Sequence, residues 1–499
     1  MPRLRIPLFG SYTNRNVDPA AFSSSDQQFV NGYPEIISNA LTRDTKVQFN
    51  KRPGHTTSSS LASVSAAASV GMVLSWTGNS SLAPPPAVAF KNVGDSSTSV
   101  WNMSNASKIG ADIADTSDCF ALTETVVSTT ANIVGNFVDS SSSAAEQWVF
   151  PEGGAWAQVT DGDFPTNIVG FPVHMDGYTF NMTQDGKIYN SDLNSVTAYT
   201  ATNFISANLY PDKGVTVARH GRYIVAFGEK SIEFFVNAGH PFGSPLTKVE
   251  GGLQVGAARR QMQTHHTVLQ ALGTVYWIGT NSEGATTGVY RFKGNEPEKV
   301  SNPGIDKLLS SGNIAGFVGT MCLHGLNHVV MQGEGAGVWC FCAESNFWWK
   351  LTLASGEVRA CLGVNDASFG GGATTYFVTG TSKKVHHFST TTSPVYQDDG
   401  AAYTMTVQTD NIDAGTDRIK FWKRLRIICD RQTSGTIGVA WSDDDFGNFT
   451  TAVNVEITNG FALASRLGAS RRRSWKLTHS ANTPCRIEAV EIEYELGSH

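Results

Sequence analysis

The chain is short of charge: only 16% of its 499 residues are Asp, Glu, Lys or Arg, against roughly a quarter in an average soluble protein. Its 37 basic residues face 43 acidic ones, giving a net charge of −6 and a pI near 6.1. No overall cationic field therefore exists to grip nucleic acid. Intrinsic disorder is excluded from another side, because disordered chains combine high net charge with few aromatics, and aromatics here reach 10%. No apolar run approaches the 18 or so residues of a membrane helix, and mean hydropathy is −0.16, so membrane insertion is not expected. The start, Met1-Pro2-Arg3-Leu4-Arg5-Ile6-Pro7, is followed by no apolar stretch, which argues against export. Seven cysteines, an odd number in no familiar spacing, read as reduced thiols of a protein folded in a reducing cytoplasm.

Catalytic motifs are missing too. The chain has no G-x-S-x-G elbow, no phosphate loop and no H-E-x-x-H. Cys322, His324, His328, Cys340 and Cys342 lack the paired C-x₂-C spacing of a zinc site and read as alternating strand residues. His265-His266 and His386-His387 are adjacent pairs, which on a strand point to opposite faces. Asp443-Asp444-Asp445-Phe446-Gly447 departs from the calcium-loop order and reads as a hairpin tip. No catalytic residue, metal ligand or cofactor is assigned, and the protein is expected not to be an enzyme.

What the chain has is a repeat. From about residue 85 to 390 an apolar strand, a turn of Gly, Asp, Asn or Ser and a second strand carrying an aromatic recur. Tyr178–Met182, Gln184-Asp185-Gly186 and Lys187–Ser191 form one such hairpin; Tyr223–Phe227, Gly228-Glu229-Lys230 and Ser231–Phe235 form another. The aromatics Trp101, Trp148, Tyr189, Phe234, Tyr290, Trp339 and Phe388 follow one another at intervals of 41–56 residues. That is the length of one four-stranded propeller blade. A hairpin cannot bury its own faces, so blades around a ring would supply the core, with one aromatic filling each wedge. Six or seven blades fit, since the longest interval leaves room for an insertion around Gly251–Arg260.

The expected architecture is all-β. An N-terminal arm (1–57) lends a strand to the ring or crosses to another subunit, a β-propeller (58–390) follows, and a C-terminal antiparallel β-sandwich (391–499) ends the chain. The sandwich rests on the alternation in Lys420–Ile428, Ile437–Trp441, Arg473–Leu477 and Ile487–Leu496. Basic clusters within it nominate Lys423, Arg424, Arg471, Arg472 and Arg473 as interface residues, with Trp422 and Trp475 close by, and Arg52 is nominated in the arm.

Several segments carry a family resemblance. Asp176-Gly177-Tyr178-Thr179-Phe180, Asp185–Leu193, Tyr210-Pro211-Asp212-Lys213-Gly214, Arg222–Gly228 and Ser231–Phe235 resemble, in order and spacing, the central propeller segment of the tail hub or nozzle proteins of short-tailed bacteriophages, also called packaged-DNA stabilisation proteins. Arg52-Pro53-Gly54 and the block from Trp422 to Glu493 are more weakly similar. The resemblance implies a structural virion protein, assembled in the host cytoplasm as a homohexameric ring below the portal and adaptor. Genomic DNA would pass its channel without sequence-specific binding, tail fibres or tailspikes would dock outside, and a needle or tip proteins would close the end. No catalytic residue belongs to the family pattern. Two rival readings stand beside it: a propeller lectin or receptor-binding protein whose Trp101, Trp148 and Trp339 stack on sugars, and a propeller glycosidase.

Overall fold

The computed structural model describes residues 3–6, 28–38, 45–60, 70–75, 86–91, 96–259, 266–311, 314–333, 337–353, 356–366, 372–379, 384–389, 394–459 and 461–497. Strands dominate, and the helix Pro303–Ser310 is capped by Asn302, whose side chain accepts from the Ile305 amide at 2.9 Å.

Seven antiparallel sheets follow one another around a ring. Blades one to six occupy residues 70–114, 116–158, 168–206, 214–248, 256–299 and 314–351. Blade seven takes three strands from 358–388 and its outermost strand, His55–Ser60, from the N-terminal segment. The innermost strands of successive blades pack side by side, and that of blade seven, Val358–Asp366, packs against that of blade one, Val70–Ser75, so the ring closes. The structure thus decides for seven blades. The long interval between Phe234 and Tyr290 belongs to blade five, where both Gly256–Ala257 and Val268–Ala271 pair with Thr274–Thr280.

The inter-blade wedges are filled by apolar clusters drawn from both neighbours, as twisted sheets with two apolar faces require. Between blades four and five lie Val225, Phe227, Phe234, Val275, Trp277 and Phe292; between three and four lie Phe180, Met182, Ile188, Ile224 and Phe235. All seven aromatics of the repeat stand on the third strand of their blade. Trp101, Phe234 and Phe388 are buried, while Trp148, Tyr189, Tyr290 and Trp339 are half-buried. Sequence spacing located the strand correctly, but the most completely buried fillings, such as Trp277 and Phe137, come from the second strands.

Glycine sets one close approach. Gly319 and Cys361, on the inner strands of blades six and seven, form a parallel bridge. Gly319 has φ +137°, and a Cβ there would sit 1.8 Å from the Cys361 carbonyl oxygen.

The second unit is a two-sheet sandwich. One sheet runs Gly32–Ser38, Thr45–Lys51, Arg486–Leu496, Lys420–Cys429 and Phe461–Ser465, with Arg3–Ile6 and Ala469–Ser470 attached. The facing strands are Gln28–Val30, Met405–Gln408, Ser474–His479, Thr436–Ser442 and Val453–Glu456. A single core joins the sheets and continues into blades six and seven through Phe29, Tyr33, Trp349, Phe377, Phe388, Trp422 and Trp475. The N-terminal segment is therefore divided: its described strands up to Lys51 build the sandwich, and His55–Ser60 builds the propeller. The Ser/Ala-rich stretch and most of the Pro84-Pro85-Pro86 break lie outside the described residues.

Candidate functional site

The joint between the two units is made where Arg52-Pro53-Gly54 turns from sandwich strand to blade strand. Arg52 is fully buried, and each of its five donors is used. Nη1 and Nη2 grip Asp398 at 2.9 and 2.6 Å, Nε donates to Asn31 Oδ1 at 3.1 Å, and the carbonyls of Pro53 and Thr352 take the rest at 2.9 and 3.1 Å. The guanidinium lies 3.7 Å from the centre of the Tyr403 ring, whose hydroxyl donates to the Arg52 carbonyl. Gly54 fits because a Cβ would stand 2.2 Å from the Gln397 carbonyl oxygen.

Beside this pair the hairpin Asp399-Gly400 reverses the chain, with φ of 48° and 84°. Asp-Gly suits a two-residue turn whose central residues both need positive φ. The turn brings Asp399 against the closing strand, where its Oδ1 accepts from the Thr57 amide at 2.6 Å and its Oδ2 from the Thr57 hydroxyl at 2.8 Å. His386 Nδ1 lies 3.4 Å from Asp399 Oδ2. His55, 1% exposed, has Nδ1 3.9 Å from Asp399 and Nε2 3.7 Å from Asp398. The two imidazoles have ring centroids 4.8 Å apart, and both pack on Phe377. A register shift between Val385 and His386 aims His386 inward, whereas His387 turns to Thr56 and Ser58 at 3.1 and 2.7 Å. Burial lowers the pKa of His55, and burial with the neighbouring His55 brings His386 down to about 4. Burial also lowers Lys51 to about 8 and raises the Tyr403 phenol.

The nominated interface residues divide into two kinds. Arg52 lies inside the chain, so it offers nothing to another surface. Arg473 is also buried: Nε and Nη2 bind Asp443 at 2.6 and 2.7 Å, and its guanidinium stands 5.1 Å from Trp441 and Trp475 and 5.7 Å from Trp422. Arg472 is exposed and pairs with Asp445; Lys423 is exposed and pairs with Glu495 at 3.0 Å. Arg424 and Arg471 are exposed, and among the described residues their side chains form no ion pair. The Asp443–Asp445 tip is a turn with each carboxylate engaged. Bonds from Ser442 and Asn448 at 2.6–2.9 Å bring Asp444 down to about 2.

At the propeller axis a cavity of about 530 Å³ is lined by inner strands of blades two to seven, with Glu124, His174, Arg219 and Gln270 as its polar side chains of note. Trp101 is held in packing between blades one and seven, and Trp148 and Trp339 pack against neighbouring cores. Sequence reading missed the His55, His386 and Asp399 constellation. The Asp-Gly turn was visible, but nothing in the chain said that it lies against residue 55.

Residues 96–316 match the family model described as "Bacteriophage P22 Gp10, beta-propeller". No curated protein matches. Among solved structures, an ancestral GH74 enzyme is similar over 72% of this chain and 51% of its own, at 12% identity and a TM-score of 0.41. A puromycin-hydrolysing peptidase of Mycobacterium tuberculosis is similar over 71% of this chain and 61% of its own, at 11% identity and a TM-score of 0.36. The chain thus spans about half the length of the first and three fifths of the second.

Proposed function

We propose, from the match of residues 96–316 to the phage tail-stabilisation β-propeller family, that the chain is a member of that family and the hub or nozzle of a short tail. In this reading six copies form a ring below the portal and adaptor and continue the DNA channel. The ring retains the packaged genome, and fibres or tailspikes dock on its outside. The family match over residues 96–316 carries the reading.

Three features support it. A propeller whose last blade is completed by a strand from the other end of its sequence has no loose edge to peel under load. Fusion of sandwich and blades through one core suits a part that must transmit force. Six copies at −6 each would carry about −36, which disfavours adhesion to phosphate and so suits passage of DNA.

Electron microscopy of the purified chain, alone and mixed with a portal and adaptor from the same genome, tests this. A six-fold ring stacked beneath the adaptor is expected. A monomer that ignores the adaptor at high concentration overturns the hub reading.

A further inference from the structure

His55 presents a physical problem that the fold alone does not solve. Its side chain is 1% exposed, yet neither ring nitrogen has a hydrogen-bond partner. A buried polar atom left unsatisfied forfeits its hydration without compensation. The carboxylate oxygens of Asp398 and Asp399 stand 3.7 and 3.9 Å away, beyond hydrogen-bonding reach. Asp398 is already committed to both ends of Arg52. Asp399 is 37% exposed and opens the cluster to solvent.

One ligand atom each from His55, His386 and Asp399 lies within 4.8 Å of the others. Around a tetrahedral zinc with bonds of about 2.0–2.1 Å, ligand atoms sit roughly 3.3 Å apart. The His386 to Asp399 separation of 3.4 Å meets this, while the 3.9 Å from His55 to Asp399 and a His55 to His386 separation of up to 4.8 Å require both imidazoles to turn inward on binding. We infer that His55, His386 and Asp399 form a site for a divalent transition metal of the zinc class, with a fourth position open to water. Two imidazoles and one carboxylate favour zinc, nickel or copper over magnesium or calcium. The supporting contacts of such a site are in place: Thr57 fixes both oxygens of Asp399, and Phe377 packs against both imidazoles.

The placement gives the metal a task. Its ligands come from the strand that closes the ring, the strand it closes upon and the hairpin that begins the sandwich. An ion there ties three segments far apart in sequence, and because it binds the closed arrangement it would stabilise closure by mass action.

The test uses the full chain, stripped with chelator and then loaded separately with zinc(II) and with cobalt(II). Expected are one tightly held metal per chain, a rise in melting temperature on loading, and the visible d–d bands of tetrahedral cobalt. His386→Gln and Asp399→Asn should each weaken zinc at least tenfold, and His55→Gln with His386→Gln together should abolish the cobalt bands. Should a variant fail to fold, the wild-type cobalt spectrum still decides. Zinc binding equal in wild type and variants, an octahedral cobalt spectrum, or no retained metal in the folded wild type would each overturn the assignment.

Discussion

Arg52 and Asp398 face each other in a two-point ion pair at 2.9 and 2.6 Å, with side-chain exposures of 0% and 1%. The pair couples the turn that leaves the sandwich to the hairpin that returns to it, 346 residues later. Removing one member strands a charge away from water, at a cost of about 3–5 kcal/mol. Arg52→Ala and Asp398→Ala should each lower stability to urea by that order, and Arg52→Lys should recover little, because an ammonium cannot span both oxygens and serve three carbonyl or amide oxygens as well. The double variant Arg52→Met with Asp398→Leu should cost less than either alanine change. Single variants within about 1 kcal/mol of wild type would show that the pair does not hold the joint.

The bridge between blades six and seven makes a sharper demand on one atom. A methyl group on Gly319 would overlap the Cys361 carbonyl oxygen at 1.8 Å, and φ +137° is strained for any other residue. Gly319→Ala should push the two inner strands apart and lower the melting temperature by many degrees or abolish folding. Gly162→Ala, where a Cβ meets nothing within 4 Å, is the control and should leave stability within about 0.5 kcal/mol. Equal melting temperatures for the two variants would remove the close approach from the account of ring closure.

Acid should loosen this protein before its carboxylates protonate. Burial lowers His328 to about 4, despite the pull of Glu344, and lowers His479 to about 4, helped by Lys51. An imidazole whose folded pKa lies below its unfolded value of 6.5 takes its proton more readily in the unfolded chain. Stability is therefore full above about pH 6.5 and falls as pH drops toward 4, by on the order of 3 kcal/mol for His328 alone. Urea midpoints measured from pH 7.5 to 4.5 should decline, and His328→Gln should flatten the slope. A midpoint that stays constant down to pH 5 contradicts the assigned burial.

The blades were legible because their signal is local: a turn, a β-branched run and one aromatic, recurring at a length that a four-stranded sheet consumes. Trp101 to Phe388 fell on the third strand of every blade for that reason. Their neighbours in the wedges, such as Trp277 or Phe137, carry no distinguishing spacing and emerged only from packing. The joint was illegible for a different cause. Arg52 looked like a surface cation because sequence shows a charge without its partner, and Asp398 stands 346 residues away. Arg473 misled in the same way, since it is buried among indoles. Long-range pairing of charges leaves no periodic trace in a single chain.

The sandwich cations can now be separated by experiment. Arg473 is enclosed by Trp422, Trp441 and Trp475 and bound twice to Asp443. Arg473→Ala should therefore destabilise by several kcal/mol, with loss of the near-ultraviolet signal from the indoles. Arg472→Ala, at an exposed pair with Asp445, should cost less than about 1 kcal/mol. Arg424 and Arg471 are the residues left for a partner, because both are exposed and Arg424 stands beside Glu493, which already receives Arg3 at 3.0 Å. Reversing both to Glu should leave melting unchanged and reduce ring assembly or adaptor binding, with the loss shrinking as salt is raised. If assembly survives the reversal intact, the contact lies elsewhere on the chain and this face of the sandwich is only solvated.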